Sequence, residues 1–278
     1  MKLTQTIVRG VLAFIAITAA QMICGVLVPI KAPAAPHLLE WLLMANAIVA
    51  AALTILAVRS DWRGWQLGIA LAAIPFIIST ANIIEGSVFL KNSYLPWEPL
   101  YLHSLISAVL MVPVWTLLFG RRENATSHYH PIQSKGRGER AWKFALSDLS
   151  YIVLYYAAGM IIFPFVRDFY ATQQLPPPGT IVVLQLLIRG PIFVVLCLGI
   201  TRMLGMPRLT GALTVGALFT LLSGVAPLLI PNPYFPDAVR WVHFCEVVSE
   251  NFVFGAIVAW LWGRPPAFVA RHSLARAA

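Results

Sequence analysis

Long apolar runs recur along this chain, and no other feature restricts its fold so strongly. They are Val11–Ile30, Leu38–Val58, Trp65–Ile84, Leu100–Phe119, Ala145–Val166, Ile181–Thr201, Leu213–Ile230 and Trp241–Trp262. A helix crossing a hydrocarbon layer about 30 Å thick needs about 20 mostly apolar residues. The expected fold is therefore an all-α integral membrane protein of about eight transmembrane helices. The third and seventh runs are less continuous than the rest, which brackets the count between about seven and nine. Composition agrees, with 59% of the 278 residues hydrophobic and 11% charged. Soluble domains carry about a quarter charged residues. The connections are short except one, so no separate soluble domain is expected.

The net charge of +9 is distributed as a topology signal. With the N-terminus inside, the inner connections hold Lys2, Arg9, Arg59, Arg63, Arg121, Arg122, Lys135, Arg137, Arg140, Lys143, Arg202, Arg208, Arg264, Arg271 and Arg276. The outer ones hold Lys31, Lys91, Arg167 and Arg240, and Arg189 lies within a span. Basic residues accumulate on the cytoplasmic side of membrane proteins. The expectation is a multi-pass protein of a bacterial-type inner (plasma) membrane with both termini cytoplasmic. The lipid bilayer is the expected partner, and the charge pattern argues against nucleic acid. Apolarity continues unbroken to Ile30, longer than a usual signal core, so the first span is expected to be retained. Cys24, Cys197 and Cys245 lie within spans, form no CxxC pair and read as packing thiols.

The long connection, residues 120–143, is polar and basic and reads as a cytoplasmic linker between halves 1–119 and 144–278. Its His128 and His130 read as solvated, and Asn124-Ala125-Thr126 as a glycosylation acceptor left silent on that face. The halves look related. Asn92, Tyr94, Pro96 and His103 before and within the fourth span recur at one constant spacing as Asn232, Tyr234, Pro236 and His243 at the eighth. Upstream, after one short gap, Arg59 faces Arg202 and Asn46 faces Arg189. The expected arrangement is two parallel four-helix repeats about a pseudo-two-fold along the membrane normal. Prolines crowd the outer ends (Pro29, Pro33, Pro36, Pro96, Pro99, Pro164, Pro176, Pro177, Pro178, Pro227, Pro231, Pro233, Pro236), where they would make a stiff rim.

A charge within hydrocarbon costs about 2.5–3.5 kcal/mol on insertion scales, so each ionisable residue in a span needs a reason. Asp148 reads as a helix-start carboxylate and Glu40 as interfacial. The remaining set lies in the outer halves of the spans, as a funnel open outward. His243, Glu246 and Glu250 fall on one stripe about 60° wide at about 100° per residue. Gln185 with Arg189, Asn82 with Glu85, and His103 with Ser107 make polar faces on the sixth, third and fourth spans.

Three readings compete for this set. In the first, a metal-assisted enzyme acts on a membrane-associated anionic substrate. His243, Glu246 and His103 would hold a divalent metal such as Zn, with Glu250 or Glu85 as general base. Arg189, with Gln185 and Asn82, would bind the substrate, a lipid head group or small anion. In the second, the chain is a proton-coupled small-solute transporter, for which duplicated halves and a mid-depth Glu250 are usual ingredients. In the third it is a structural subunit of a membrane complex, Arg189 pairing with Glu246 or Glu250 as a packing salt bridge. A variant of the metal idea makes His103 and His243 axial ligands of one haem.

The charge asymmetry has a direct check. Cysteines introduced at Ser93 and Ala171 are expected to react with a membrane-impermeant thiol reagent added to intact cells, and one at Ser134 to stay unlabelled. Labelling at 134 would reverse the orientation.

Overall fold

The computed structural model describes residues 3–30, 36–89, 96–120, 136–173, 175–231 and 235–263. Among them run eight helices long and apolar enough to cross a membrane. They are α1 (Leu3–Leu27), α2 (Leu38–Arg59), α3 (Gly64–Phe89), α4 (Trp97–Phe119), α5 (Arg137–Ala171), α6 (Pro178–Leu204), α7 (Arg208–Leu229) and α8 (Asp237–Trp262). Large apolar side chains such as Val26, Leu117, Ile161 and Phe165 point outward. Exposed apolar surface of that extent calls for a non-aqueous surround, as in a helical membrane protein.

α5 departs most from its expected bounds. It starts at Arg137, inside the stretch read as linker, because Lys143 pairs with Glu139 one turn earlier at 2.7 Å. The Lys143 ammonium also lies 6.0 Å and 5.9 Å from the ring centroids of Trp142 and Trp262. Asp148 is consequently three turns into a helix, not at its start, and it is buried. The linker histidines, the Asn124 acceptor, and Asn92, Tyr94, Asn232 and Tyr234 of the internal match lie outside the described residues.

Consecutive helices run antiparallel. At one end the Gly64 N–H donates to the Gly120 carbonyl (3.2 Å), the Asp61 N–H to the Met203 carbonyl (2.8 Å), and Arg208 Nε to the Gly263 carbonyl (3.1 Å). This end carries Arg59, Arg63, Arg137, Arg140, Arg202 and Arg208. At the opposite end the rings of Trp41 and Trp241 meet edge to face, 6.0 Å apart. α3 pairs closely with α4, and α7 with α8. Small residues permit both approaches: Gly68 lies against Thr116 and the Val112 carbonyl, and Gly216 against Gly255 and the Phe252 carbonyl. α1 packs on α2 and α4, and α5 on α6 and α8. Contacts of α2 with α7 and of α3 with α6 join the first four helices to the last four.

Two helices are widened locally, each just ahead of a proline. α6 has a π-helical turn at Gln185–Arg189, where the Gly190 N–H reaches back five residues to the Gln185 carbonyl. α7 has the same turn at Leu221–Val225, with the Ala226 N–H on the Leu221 carbonyl. Pro191 and Pro227 follow immediately. A proline inside a helix has no N–H to donate, and its ring collides with the carbonyl four residues earlier. One extra residue in the turn moves that carbonyl aside.

Gly190 closes the α6 turn against α5. A methyl placed there would overlap the Asp148 carboxylate and crowd the Gln185 carbonyl and the Tyr151 ring. Gly190→Ala is therefore expected to destabilise the protein in detergent by about 1–3 kcal/mol. Gly199→Ala, on the same helix with no atom within 4 Å of the new methyl, is expected to be neutral or stabilising by up to about 1 kcal/mol. Thermal unfolding of the two variants separates close packing from helix propensity.

Candidate functional site

The ionisable residues gather on one side of the bundle. Asn82 and Glu85 near the end of α3, Arg189 in the widened turn of α6, and His243, Glu246 and Glu250 on α8 all line one cavity of about 270 Å³. The π turn matters here, because it carries Gln185 and Arg189 on its inner side, both buried.

Arg189 is held through both terminal nitrogens, while its buried Nε has no hydrogen-bond partner among the described residues. Its Nη1 donates to Glu85 Oε1 at 2.5 Å and its Nη2 to Asn82 Oδ1 at 3.1 Å. Gln185 Nε2 donates to the same Glu85 oxygen at 3.0 Å. The guanidinium carbon lies 5.0 Å from the Phe193 ring centroid and 6.0 Å from that of Tyr151. The ion pair expected from the sequence is thus present with a different partner, Glu85 rather than Glu246 or Glu250. With both terminal nitrogens occupied and Nε buried, the guanidinium offers little to an incoming anion.

A second chain of bonds runs down α8 from the end opposite the basic one. The Tyr170 hydroxyl lies 2.9 Å from His243 Nε2, and His243 Nδ1 lies 2.6 Å from Glu246 Oε2. Glu250 sits one turn deeper, midway along α8, 6% exposed, and its Oε1 has no hydrogen-bond partner among the described residues. Below it, Tyr151, Phe193, Phe219 and Phe254 form a buried aromatic layer with ring centroids 5.1–5.7 Å apart. Asp148 lies one turn before Tyr151 on α5, its carboxylate against Gly190 of α6, and beside Ser147, which accepts a bond from Trp262 at the basic end. Its Oδ1 is also buried without a hydrogen-bond partner among the described residues.

The expected metal set is not assembled. His103 lines a different cavity, of about 520 Å³, so it does not join His243 and Glu246. Among the described residues no group of three or more His, Cys, Asp or Glu side chains could hold a metal ion. The two histidines proposed as haem ligands line separate cavities. His243 and Glu246 are instead spent on each other.

Sequence reasoning missed Tyr151, Tyr155 and Tyr170, which give the cavity its aromatic wall, and the Asn251–Ser223 bond of 2.9 Å beside Glu250. A tyrosine near a span end looks like any interfacial aromatic residue, so Tyr170 carried no separate signal.

The Arg189–Glu85 pair joins the first four helices to the last four. Removing one partner of a buried pair strands the other charge and costs about 3–5 kcal/mol. Arg189→Leu and Glu85→Leu are each expected to lower thermal stability in detergent, and the double variant to recover part of the loss. Additive losses would show that the two charges do not interact.

Comparison with protein-family models, with characterised proteins and with solved structures finds no match to this chain.

Proposed function

We propose that this chain is a carrier of a bacterial-type inner membrane that exchanges protons for small organic cations through the polar cavity. The carrying observation is Glu250: a buried carboxylate with a free oxygen, facing a cavity where three carboxylates meet one guanidinium already bound to one of them. Such a site favours a positive guest. Tyr151, Tyr155, Tyr170, Phe89 and Phe235 around it supply the aromatic faces on which organic cations bind.

The metal-assisted enzyme needs three ligands in one place and an Arg free to take an anion, and the geometry favours neither. The carrier needs a deep titratable group, an entry path and a seal. Glu250 supports the first, and the Tyr170–His243–Glu246 chain supports the second, since each of its members can pass a proton to the next. The aromatic layer supports the third, closing the cavity toward the basic end.

The reading includes the orientation drawn from the basic residues, with both termini cytoplasmic and the cavity facing outward. It also includes the parallel duplication. Exchanging α1–α4 with α5–α8 maps the helix contacts onto one another: α3 with α4 onto α7 with α8, α1 with α4 onto α5 with α8, and α2 with α7 onto α6 with α3. Gly120 and Gly263 end α4 and α8 in the same way, each bonded back to the start of the preceding helix. Duplicated halves meeting at a central site are a common carrier plan.

Because one carboxylate takes either a proton or a cation, the two must travel in opposite directions. Proteoliposomes loaded at acid pH with a pH-sensitive dye are expected to lose internal protons when tetramethylammonium or benzyltrimethylammonium is added outside. Glu250→Gln is expected to abolish the response at least tenfold while unfolding at a similar temperature. No cation-dependent proton release from wild-type vesicles, or an equal response from Glu250→Gln, would sink the proposal.

A further inference from the structure

The larger cavity has no part in the chemistry described so far. It is bounded by α1–α4 together with α7, just as the charged cavity is bounded by α5–α8 together with α3. The two have diverged in content. No Asp, Glu, Lys or Arg lines the larger one, and most of its wall is Ile, Leu, Val, Ala, Pro, Phe, Met and Trp. Where Arg189 reaches across to Glu85 in the second half, Asn46 in the first half is tied down by Gln21 at 2.9 Å and Thr18 at 3.2 Å. Its 520 Å³ lies within the range of ligand pockets, about 300–1,000 Å³.

The two cavities are neighbours with a common wall. Asn82, Gly86, Pro227 and Phe235 line both. In that wall Gly86 contributes no side chain, and Pro227 follows the π turn of α7, where the helix is widened. A molecule with its charge beside Glu250 can therefore lay an uncharged chain past Asn82 and Phe235 into the apolar space.

We propose that the larger cavity is a binding site for the apolar chain of an amphiphilic cation whose charged group sits in the Glu250 cavity. The proposal rests on the cation reading of that cavity and adds what the rest of the ligand is. Each methylene of a chain buried there tightens binding when the comparison is with water. A long-chain cation should then bind at least a hundredfold more tightly than its headgroup alone. The amphiphile would reach the site from the lipid, where such molecules concentrate.

The test uses the full chain in nanodiscs, with binding corrected for empty discs. Radiolabelled dodecyltrimethylammonium is expected to bind at least a hundredfold more tightly than tetramethylammonium. Ser107→Phe and, independently, Ser104→Phe fill the apolar cavity from α4 without touching the charged one. Each is expected to weaken dodecyltrimethylammonium at least tenfold and to leave tetramethylammonium unchanged. Two cations of equal affinity, or long-chain binding indifferent to both variants, would overturn the proposal. A neutral probe keeps it separate from the cation reading. Trp115 lines the apolar cavity and is 1% exposed, so its fluorescence, isolated by difference with Trp115→Phe, reports occupancy. 12-Bromododecanol is expected to quench it in the wild type and not in Ser107→Phe. Quenching without binding of either cation would remove the Glu250 reading and leave the chain site standing, whereas no quenching would remove the chain site itself.

Discussion

The ion pair between Arg189 and Glu85 is the interaction on which the rest of this structure depends. A guanidinium at that depth cannot be left to hydrocarbon, and Glu85 and Asn82 take its two terminal nitrogens while two aromatic rings lie beside it. The residues that do so come from α3, α5 and α6, so satisfying one charge joins the first four helices to the last four. It also decides what is left over. Once Glu85 is committed to Arg189, and Glu246 to His243, Glu250 is the acid whose Oε1 still lacks a partner among the described residues. The uncommitted group is thereby placed midway along α8, above a layer of four packed aromatic side chains.

Proline and glycine set the positions from which these side chains act. In α6 the residues Gly190-Pro191 enforce a widened turn, and that turn presents Gln185 and Arg189 together to Glu85. Gly190 also lets α5 come near enough for Tyr151 to lie under the guanidinium. In α7 the sequence Ala226-Pro227 produces the matching widening at the wall between the two cavities. The same local chemistry thus shapes both sides of the site.

Much of the fold was legible because a transmembrane span has a length requirement that few other segments meet. The eight apolar runs appear as eight helices, and the ends differ where polar residues continue the helix, as Glu139 and Lys143 do for α5. That extension is why Asp148 was misread as a helix start. The candidate site was legible in membership and not in pairing. Glu85, Arg189, His243, Glu246 and Glu250 stood out because charge in an apolar run is costly. Which acid met the arginine depends on how α3, α6 and α8 are arranged around a common interior, and one sequence contains no distances between helices. His103 shows the same limit: its match to His243 along the chain suggested a shared ligand, yet the two side chains line two separate cavities. The two π turns had a visible cause in Gly-Pro and Ala-Pro, although proline more often signals a kink or an end.

On the exchanger reading, the fixed and free carboxylates have separate tasks. Glu85 compensates Arg189 in every state, so that part of the cavity keeps one charge whatever is bound. Glu250 is the variable part. With a proton on it, or with a cation beside it, the cavity carries the same net charge, and closing the outer side is equally easy in both cases. Empty and ionised, it carries one more negative charge, which would have to be shut away from water without a partner. Stranding a buried charge costs about 3 kcal/mol or more, enough to suppress the empty transition roughly a hundredfold. Tight exchange needs no special gate on this account. It follows from having, among the three acids that line the cavity, one uncommitted carboxylate above an aromatic seal, the other two being already bonded to Arg189 and His243.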